Sequence, residues 1–444
     1  MAKPTPISGF PEWLPEQRLV ELHALDTLRA RFESFGFAPL ETRAVEPLDQ
    51  LLAKGETDQE IYVLRRLHAA DDEGDAGLGL HFDLTVPFAR YVAQNRGRLA
   101  FPFKRWQIQK VWRGERPQVG RYREFYQADL DVVAEETLAL DFDAEMARLL
   151  VESMSALPVP PVTLGINNRK VLQGAYAALG IDDVPGTLRI VDKLDKVGER
   201  GVLDLLVERA GLAPQVAEAC VAIGRIRTAD ASFADAVRAL VPANALLDAG
   251  LDELTRVIDA LADLPAGSVV ANLSIARGLD YYTGTVYEGQ LRGHENLGTV
   301  CSGGRYDDLV GGGGAKLPGV GVSIGVTRIL GRFLGDGLLR ATRSVPTCVL
   351  VTLPSDEARP AARAAANALR ARGIATEVFH EAARFGKQMK YADRRGIPFA
   401  WFPPADPSAP HEVKDLRTGA QTPADPASWT PPADDLRPRV VPAE

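Results

Sequence analysis

Lys110-Val111-Trp112-Arg113-Gly114-Glu115-Arg116-Pro117-Gln118-Val119-Gly120-Arg121-Tyr122-Arg123-Glu124-Phe125-Tyr126-Gln127-Ala128-Asp129-Leu130-Asp131 decides the fold. Two extended segments flank a turn-rich loop from Gly114 to Gly120, the pattern of a β-hairpin. Side chains alternate across a strand. Arg121, Arg123, Phe125, Gln127, Asp129 and Asp131 therefore share one face, and Tyr122, Tyr126, Leu130 and Val132 the other. Upstream, Arg105, Gln107, Gln109 and Arg113 stand against Trp106, Ile108 and Trp112. An antiparallel sheet with one solvated face would alternate in the same way. The polar face here is not a Lys/Glu mixture, however. It offers planar guanidinium forks, an aromatic ring, an amide and carboxylates, which suit an anionic ligand carrying a ring.

Arg113-x-Glu115, a short loop, then Arg121 and Phe125 resemble motif 2 of the class II aminoacyl-tRNA synthetases. The resemblance implies that Arg113 holds the α-phosphate of ATP, that Phe125 stacks on adenine, and that Glu115 and Arg121 belong to the same ATP site. The intervening loop then meets the acceptor end of tRNA, with Gln118 assigned to that contact.

Composition sets bounds. At 444 residues, 46% hydrophobic and 25% charged, the chain is that of an ordinary globular protein of two or three domains. The net charge of −8 advertises no nucleic-acid partner, so a tRNA would need local basic patches on an acidic body. Cys220, Cys301 and Cys348 lie far apart with no CxxC pair, which argues against a disulfide framework or a zinc site and fits a reducing cytoplasm. No signal-peptide pattern and no bilayer-length apolar run are present.

Before the hairpin, residues 16–35 carry leucines at helical spacing, and Phe37 to Val45 reads as a strand ahead of Pro47. That order resembles class II motif 1, which implies a homodimer; any amphipathic helix followed by a strand would look similar. Asp71 to Gly79 reads as a solvated turn. In His81-Phe82-Asp83-Leu84-Thr85-Val86-Pro87, the Asp and Thr are equally the marks of a helix cap. The run resembles a segment of the histidyl-tRNA synthetases whose acidic residue receives the α-ammonium of histidine, which places Asp83, Leu84 and Thr85 at the amino group. Asp83 keeps that charge on a shorter arm than the glutamate of many bacterial members.

After the hairpin, Glu135 to Ser155 reads as a helix, Val162 to Ile166 as a strand, and the Ala- and Leu-rich stretch to Leu264 as helical with no catalytic constellation. Lys193, Lys196 and Arg200 there fit a solvated helix face better than a tRNA contact. Arg277-Gly278-Leu279-Asp280-Tyr281-Tyr282-Thr283-Gly284-Thr285-Val286-Tyr287-Glu288 could be simple strand packing. It closely resembles the signature peptide of the histidyl-tRNA synthetases, which other class II enzymes lack. By that resemblance Arg277 contacts the α-phosphate and the substrate carboxylate, and Tyr281 and Tyr282 line the histidine site with Gln127, Asp131 and Arg113. Gly311 to Gly314 is followed by Ala315-Lys316-Leu317 rather than the Gly-Lys-Ser/Thr of a Walker loop, and reads as a flexible turn. Pro318 to Leu330 resembles motif 3, with Arg328 on the γ-phosphate near a helix N-terminus.

The expected architecture is α+β: a class II antiparallel-sheet catalytic core (residues 1–170 and 265–335), an inserted helical domain (171–264), a polar linker, and a C-terminal α/β anticodon-binding domain (345–444) in which the four prolines of Pro403 to Pro410 interrupt two strands. The implied activity joins L-histidine to tRNA(His) through histidyl-adenylate, with ATP as substrate and Mg2+ on its phosphates but no dedicated protein cage for the metal. The alternatives are a catalytically silent, synthetase-like regulatory subunit of histidine biosynthesis, which typically lacks the C-terminal domain and active-site residues, and another class II synthetase, which lacks the signature peptide.

Overall fold

Ten residues on each side of the Arg113–Arg123 loop pair in strict antiparallel register, from Phe103 opposite Val133 to Trp112 opposite Glu124. The alternation expected from the sequence is present, but both faces are covered. Arg105 and Gln107 are fully buried, and Asp129 and Asp131 are each 4% exposed. The computed structural model describes residues 5–52, 61–67, 77–118, 120–276, 281–307, 316–406 and 408–443. Arg277, the glycines from Gly311 to Gly314 and most of the Asp71–Gly79 turn lie outside the described residues.

The chain divides into two compact units: Met1–Pro11 with Leu25–Arg332, and Glu12–Ala24 with Phe333–Glu444. In the first, the hairpin sits inside a nine-stranded sheet ordered Ala38–Pro39, Phe103–Trp112, Glu124–Val133, Gly319–Gly325, Cys301–Tyr306, Thr285–Leu291, Val162–Asn168, Val269–Asn272 and Arg227–Thr228. The five strands from Phe103–Trp112 to Thr285–Leu291 are joined antiparallel throughout. The strand Gly319–Gly325 therefore lies directly beside Glu124–Val133 and brings the segment resembling motif 3 against the hairpin. A separate three-stranded sheet holds Val45–Pro47, Leu78–Leu80 and Val63–Leu64, so the single strand expected from Phe37 to Val45 is instead two short pieces in different sheets.

The Ala- and Leu-rich stretch forms helices Arg169–Ala178, Val184–Val191, Leu194–Glu208, Pro214–Gly224, Phe233–Arg238 and Ala245–Asp259. Asparagine and aspartate caps start three of them: Asn168 accepts from Lys170 N, Asp183 from Gly186 N and Asn244 from Leu247 N. These helices are counted in the same compact unit as the sheet, and Arg227–Thr228 supplies its edge strand. Helices Arg169–Ala178 and Ala245–Asp259 cross at glycines. A Cβ on Gly174 would stand 2.5 Å from Leu247 N, and one on Gly250 2.6 Å from Val171 N.

In the second unit, Thr376–Val378, Val349–Val351 and Phe399–Phe402 are parallel, and His411–Asp415 and Gln421–Ala424 continue the sheet antiparallel. The prolines between residues 403 and 410 do not prevent Phe399–Phe402 from pairing with His411–Asp415. The residues expected as a polar linker include a strand, Leu339–Ala341, paired with Val440–Pro442. Helix Phe385–Arg395 stops at Gly396, whose φ of 70° is open to glycine without a Cβ clash. All three cysteines are free and buried. No helix among the described residues is long and apolar enough to cross a membrane.

Candidate active site

The hairpin loop ends in a tight turn, in which Arg121 N donates to Gln118 O at 2.9 Å and Gln118 N to Arg121 O at 3.2 Å. Gly120 takes φ 73° there, and a Cβ on it would strike the Leu297 side chain at 2.7 Å. Folding this loop back over the sheet opens a cleft of about 140 Å³ whose walls include Arg113, Glu115, Arg121, Tyr122, Phe125 and Arg328. Five residues that the sequence assigned to ATP thus share one cavity. Gln118 lies at the turn, away from that lining.

Each wall is held from behind. Arg113 Nε donates to the Phe82 carbonyl at 3.0 Å, and its guanidinium stands 5.2 Å over the Phe125 ring. Arg328 follows the strand Gly319–Gly325 in the opening turn of helix Val326–Gly335, and its Nε donates to Leu297 O at 3.2 Å. Thr327 Oγ1 accepts from Tyr126 N at 2.8 Å, tying that helix start to the hairpin. Arg121 and Glu115 meet at 3.5 Å with the arginine half exposed, an ion pair worth under ~1 kcal/mol that a ligand can re-aim at little cost. Arg328 also lines a neighbouring cavity of about 290 Å³ with Tyr282, Glu288 and Ser302. Among the described residues no group of three or more His, Cys, Asp or Glu could hold a metal ion.

Beside the cleft, the polar face of the sheet carries a carboxylate cluster. Asp131 Oδ2 is ion-paired with Arg105 Nη2 at 2.6 Å, and its Oδ1 accepts from the Tyr306 hydroxyl at 2.9 Å. The Tyr281 ring packs between Tyr282 and Tyr306, with centroids 5.3 and 5.2 Å away. Burial, reinforced by the charge on Asp131, pushes the phenols of Tyr281 and Tyr282 up, so both stay protonated as donors. Glycines clear the floor under these groups. A Cβ on Gly304 would stand 2.7 Å from the Tyr282 ring, one on Gly319 2.4 Å from the Tyr306 ring, and one on Gly321 2.1 Å from Asp131 Oδ1.

Asp83 Oδ1 accepts from Val86 N at 3.0 Å, so the capping role open in the sequence is realised at one oxygen. Its charge is nevertheless felt by Tyr281, Tyr282 and Asp129. Thr85 opens helix Thr85–Asn95. The Leu84 side chain is buried, and its carbonyl accepts weakly from Arg105 Nη2 at 3.5 Å. Gln127 spans the two halves of the site: its Oε1 accepts from Arg113 Nη2 at 3.5 Å, and its Nε2 donates to Ser323 Oγ at 2.8 Å. Sequence reasoning missed Tyr306 and Ser323 altogether, and saw Arg105 only as one member of a polar face.

A family model described as histidyl-tRNA synthetase matches residues 9–329, and one described as an anticodon binding domain matches residues 347–402. A Thermobifida fusca protein named histidine–tRNA ligase is 57% identical over 96% of this chain and 98% of its own length. A Micrococcus luteus protein of the same name is 54% identical over the whole of both chains. The crystal structure of histidyl-tRNA synthetase from Nostoc sp. PCC 7120 superposes with a TM-score of 0.86 over 96% of this chain and 97% of that one, at 37% identity. A Bacillus halodurans structure, described as an ATP phosphoribosyltransferase regulatory subunit/histidyl-tRNA synthetase, superposes with a TM-score of 0.72 over 88% of this chain and 97% of that one at 20% identity, a likeness of fold. Matched along nearly its full length by relatives more than half identical to it, and by the family model over residues 9–329, this chain belongs to the histidyl-tRNA synthetase family.

Proposed function

We propose that the chain is a histidine–tRNA ligase, which activates L-histidine with ATP to histidyl-adenylate and transfers the histidyl group to the 3′ end of tRNA(His). The observation that carries this reading is the single cleft gathering Arg113, Phe125 and Arg328 from distant segments of the chain. Two anions must meet when the histidine carboxylate attacks the α-phosphorus. The carboxylate is already ionised, so no base is required. What the site must supply is charge neutralisation and alignment, and alignment alone can contribute about 7–11 kcal/mol of barrier reduction.

Arg113 is assigned to the α-phosphate, together with Arg277 on the strength of the signature peptide, and Arg328 to the departing phosphates. Phe125 takes the adenine, and Glu115 and Arg121 close around the nucleotide. Magnesium held by the nucleotide would neutralise phosphate charge alongside these arginines, with no residue of the chain assigned to ligate it. Asp131, Tyr281, Tyr282 and Gln127 are assigned to the histidine side, and Asp83, Leu84 and Thr85 to its amino end. Hydrogen bonds to both ring nitrogens would reject analogues lacking them by factors of about 10⁴–10⁵.

The hairpin loop with Gln118 is assigned to the tRNA acceptor end, and the region matched by the anticodon-binding model to its anticodon. The working form is proposed to be a cytoplasmic homodimer, as the likeness to motif 1 implies. Histidine-dependent exchange of pyrophosphate into ATP by the purified protein tests the reading. Robust exchange with histidine alone supports it. A silent regulatory subunit would give none, and another class II synthetase would respond to a different amino acid.

A further inference from the structure

A row of side chains crosses three strands of the central sheet with its donors all pointing one way. Arg113 donates to Gln127, Gln127 donates to Ser323, and the Ser323 side chain hydrogen-bonds the Asp129 carboxyl. At the far end the backbone fixes the polarity. The Thr42 carbonyl accepts from Gln109 Nε2 at 2.9 Å, which leaves Gln109 Oε1 as an acceptor. Gln107 Nε2 donates to that oxygen at 2.7 Å and to Thr42 Oγ1 at 2.9 Å, so the other end of the Gln107 amide is an acceptor too. Turning the amide over would set its oxygen against Gln109 Oε1, two acceptors with no proton between them.

One link is missing. Gln107 Oε1 and Asp129 Oδ1 are both buried without a hydrogen-bond partner, and the two residues are directly paired across the hairpin. Directly opposed side chains on one face stand with Cβ atoms about 4.5–5.5 Å apart. Two buried acceptors on directly paired residues lack one thing, a proton, and a single proton shared between them would satisfy both.

We propose that Asp129 works as a neutral carboxylic acid, donating to Gln107 while accepting from Ser323, and that the completed row positions the Gln127 amide for histidine. Asp129 is a positioning residue, since it reaches the substrate only through Ser323 and Gln127. The surroundings favour the neutral form. Burial is the largest influence and lifts the carboxyl to about 7. Asp131 on the same strand and Asp83 at the helix entry push it the same way, against Arg105 on the neighbouring strand and the hydrogen bond from Ser323. Arg105 is already engaged with Asp131 at 2.6 Å, and from the third strand Ser323 brings no charge. An acceptor opposite the acid, Gln107, favours the protonated form further.

The link to histidine rests on the function proposed above; the proton on Asp129 does not. Infrared difference spectra of the full-length protein against Asp129→Asn, at mildly acidic pH, are expected to show the carbonyl stretch of a neutral carboxylic acid. Gln107→Leu, which removes the acceptor, is expected to lower the pH at which that band disappears. Asn reproduces the neutral acid, donating to Gln107 and accepting from Ser323. Asp129→Asn is therefore expected to hold the KM for histidine within roughly threefold of the parent and to flatten its rise at alkaline pH, whereas Asp129→Leu raises it roughly tenfold with the KM for ATP little changed. Absence of the band, or an Asn variant as impaired as the Leu variant, overturns the proposal. Should the Leu variant not fold, the infrared and Asn measurements still decide. A band accompanied by an unchanged histidine KM in Asp129→Leu overturns the positioning role, while the parent's own exchange activity reports separately on the proposed function.

Discussion

The Arg105 guanidinium closes on Asp131 Oδ2 at 2.6 Å, with 0% and 5% of the two side chains exposed. Tyr306 holds the other carboxylate oxygen, and the Arg105 Cζ stands 4.3 Å over the Phe88 ring. The carboxylate proposed to meet the imidazole is therefore set in place by the protein before any ligand arrives. Such preorganisation spares the site a rearrangement when substrate binds.

Breaking that pair from the cationic side leaves a buried carboxylate with no counter-charge. Arg105→Ala is expected to cost about 3–5 kcal/mol of stability, far more than loss of a surface ion pair. Urea unfolding measures it, and a loss below about 1 kcal/mol would mean that Asp131 finds another partner or takes a proton.

The same carboxylate can be displaced from below. Gly321 has no side chain, and a Cβ there would stand 2.1 Å from Asp131 Oδ1. Gly321→Ala is expected to raise the KM for histidine roughly tenfold, the equivalent of about 1.4 kcal/mol, with the ATP requirement little altered. Gly386 in helix Phe385–Arg395 is the control. Nothing lies within 4 Å of a Cβ there, so Gly386→Ala should leave both constants alone. Equal effects from the two alanines would detach Gly321 from the histidine site.

His81 gives a pH dependence of definite sign. Its Nε2 lies 2.7 Å from the Lys110 carbonyl, which can only accept, so Nε2 carries the proton and the buried Nδ1 is left as the unprotonated nitrogen. Burial outweighs that bond, the charges of Asp83 and Glu46 and the pull of the Arg43 backbone, and holds the imidazole below its ordinary 6.5. The unfolded chain then binds the extra proton more readily than the folded one. The contribution of His81 is present above pH 6.5 and is lost as pH falls toward the folded value. Melting temperatures of the parent should drop on acidification through that region relative to His81→Gln, which cannot titrate. Parallel curves would count against a neutral His81.

Much of this was written locally in the chain, and what was not has a common cause. The hairpin follows from two-residue alternation and the glycine at its turn. Arg105 and Asp131 both lie on the polar face read from alternation, so their ion pair was within reach of the sequence once the register was known, although counting outward from Gln118 and Arg121 would set Arg105 opposite Ala134, three residues off. Tyr306 was not, because it stands 175 residues from the carboxylate it holds and has no spacing relation to it. Strands of two or three residues were missed for a similar reason. Leu339–Ala341 is too short to show a period, and what makes it a strand is Val440–Pro442, far along the chain. That the polar face is buried depends on which elements cover the sheet, something alternation cannot report.

Arg113 does three things at once, and lysine could do only one of them. The guanidinium bonds the Phe82 carbonyl at 3.0 Å, reaches Gln127 at 3.5 Å and lies 5.2 Å over Phe125, so its plane is fixed toward the cleft. A lysine ammonium keeps the charge but has neither the fork nor the flat face. If the arginine meets charge that develops on the α-phosphate, Arg113→Lys should lower the kcat of histidine-dependent pyrophosphate exchange by about 10²–10³, the loss typical of removing one fixed transition-state donor. Phe125→Leu offers the contrast. It removes an adenine platform equally useful in the ground and transition states, so it should raise the KM for ATP with kcat nearly held. Arg113→Lys behaving like Phe125→Leu, weak binding with full turnover, would place Arg113 on the nucleotide but away from the reacting phosphorus.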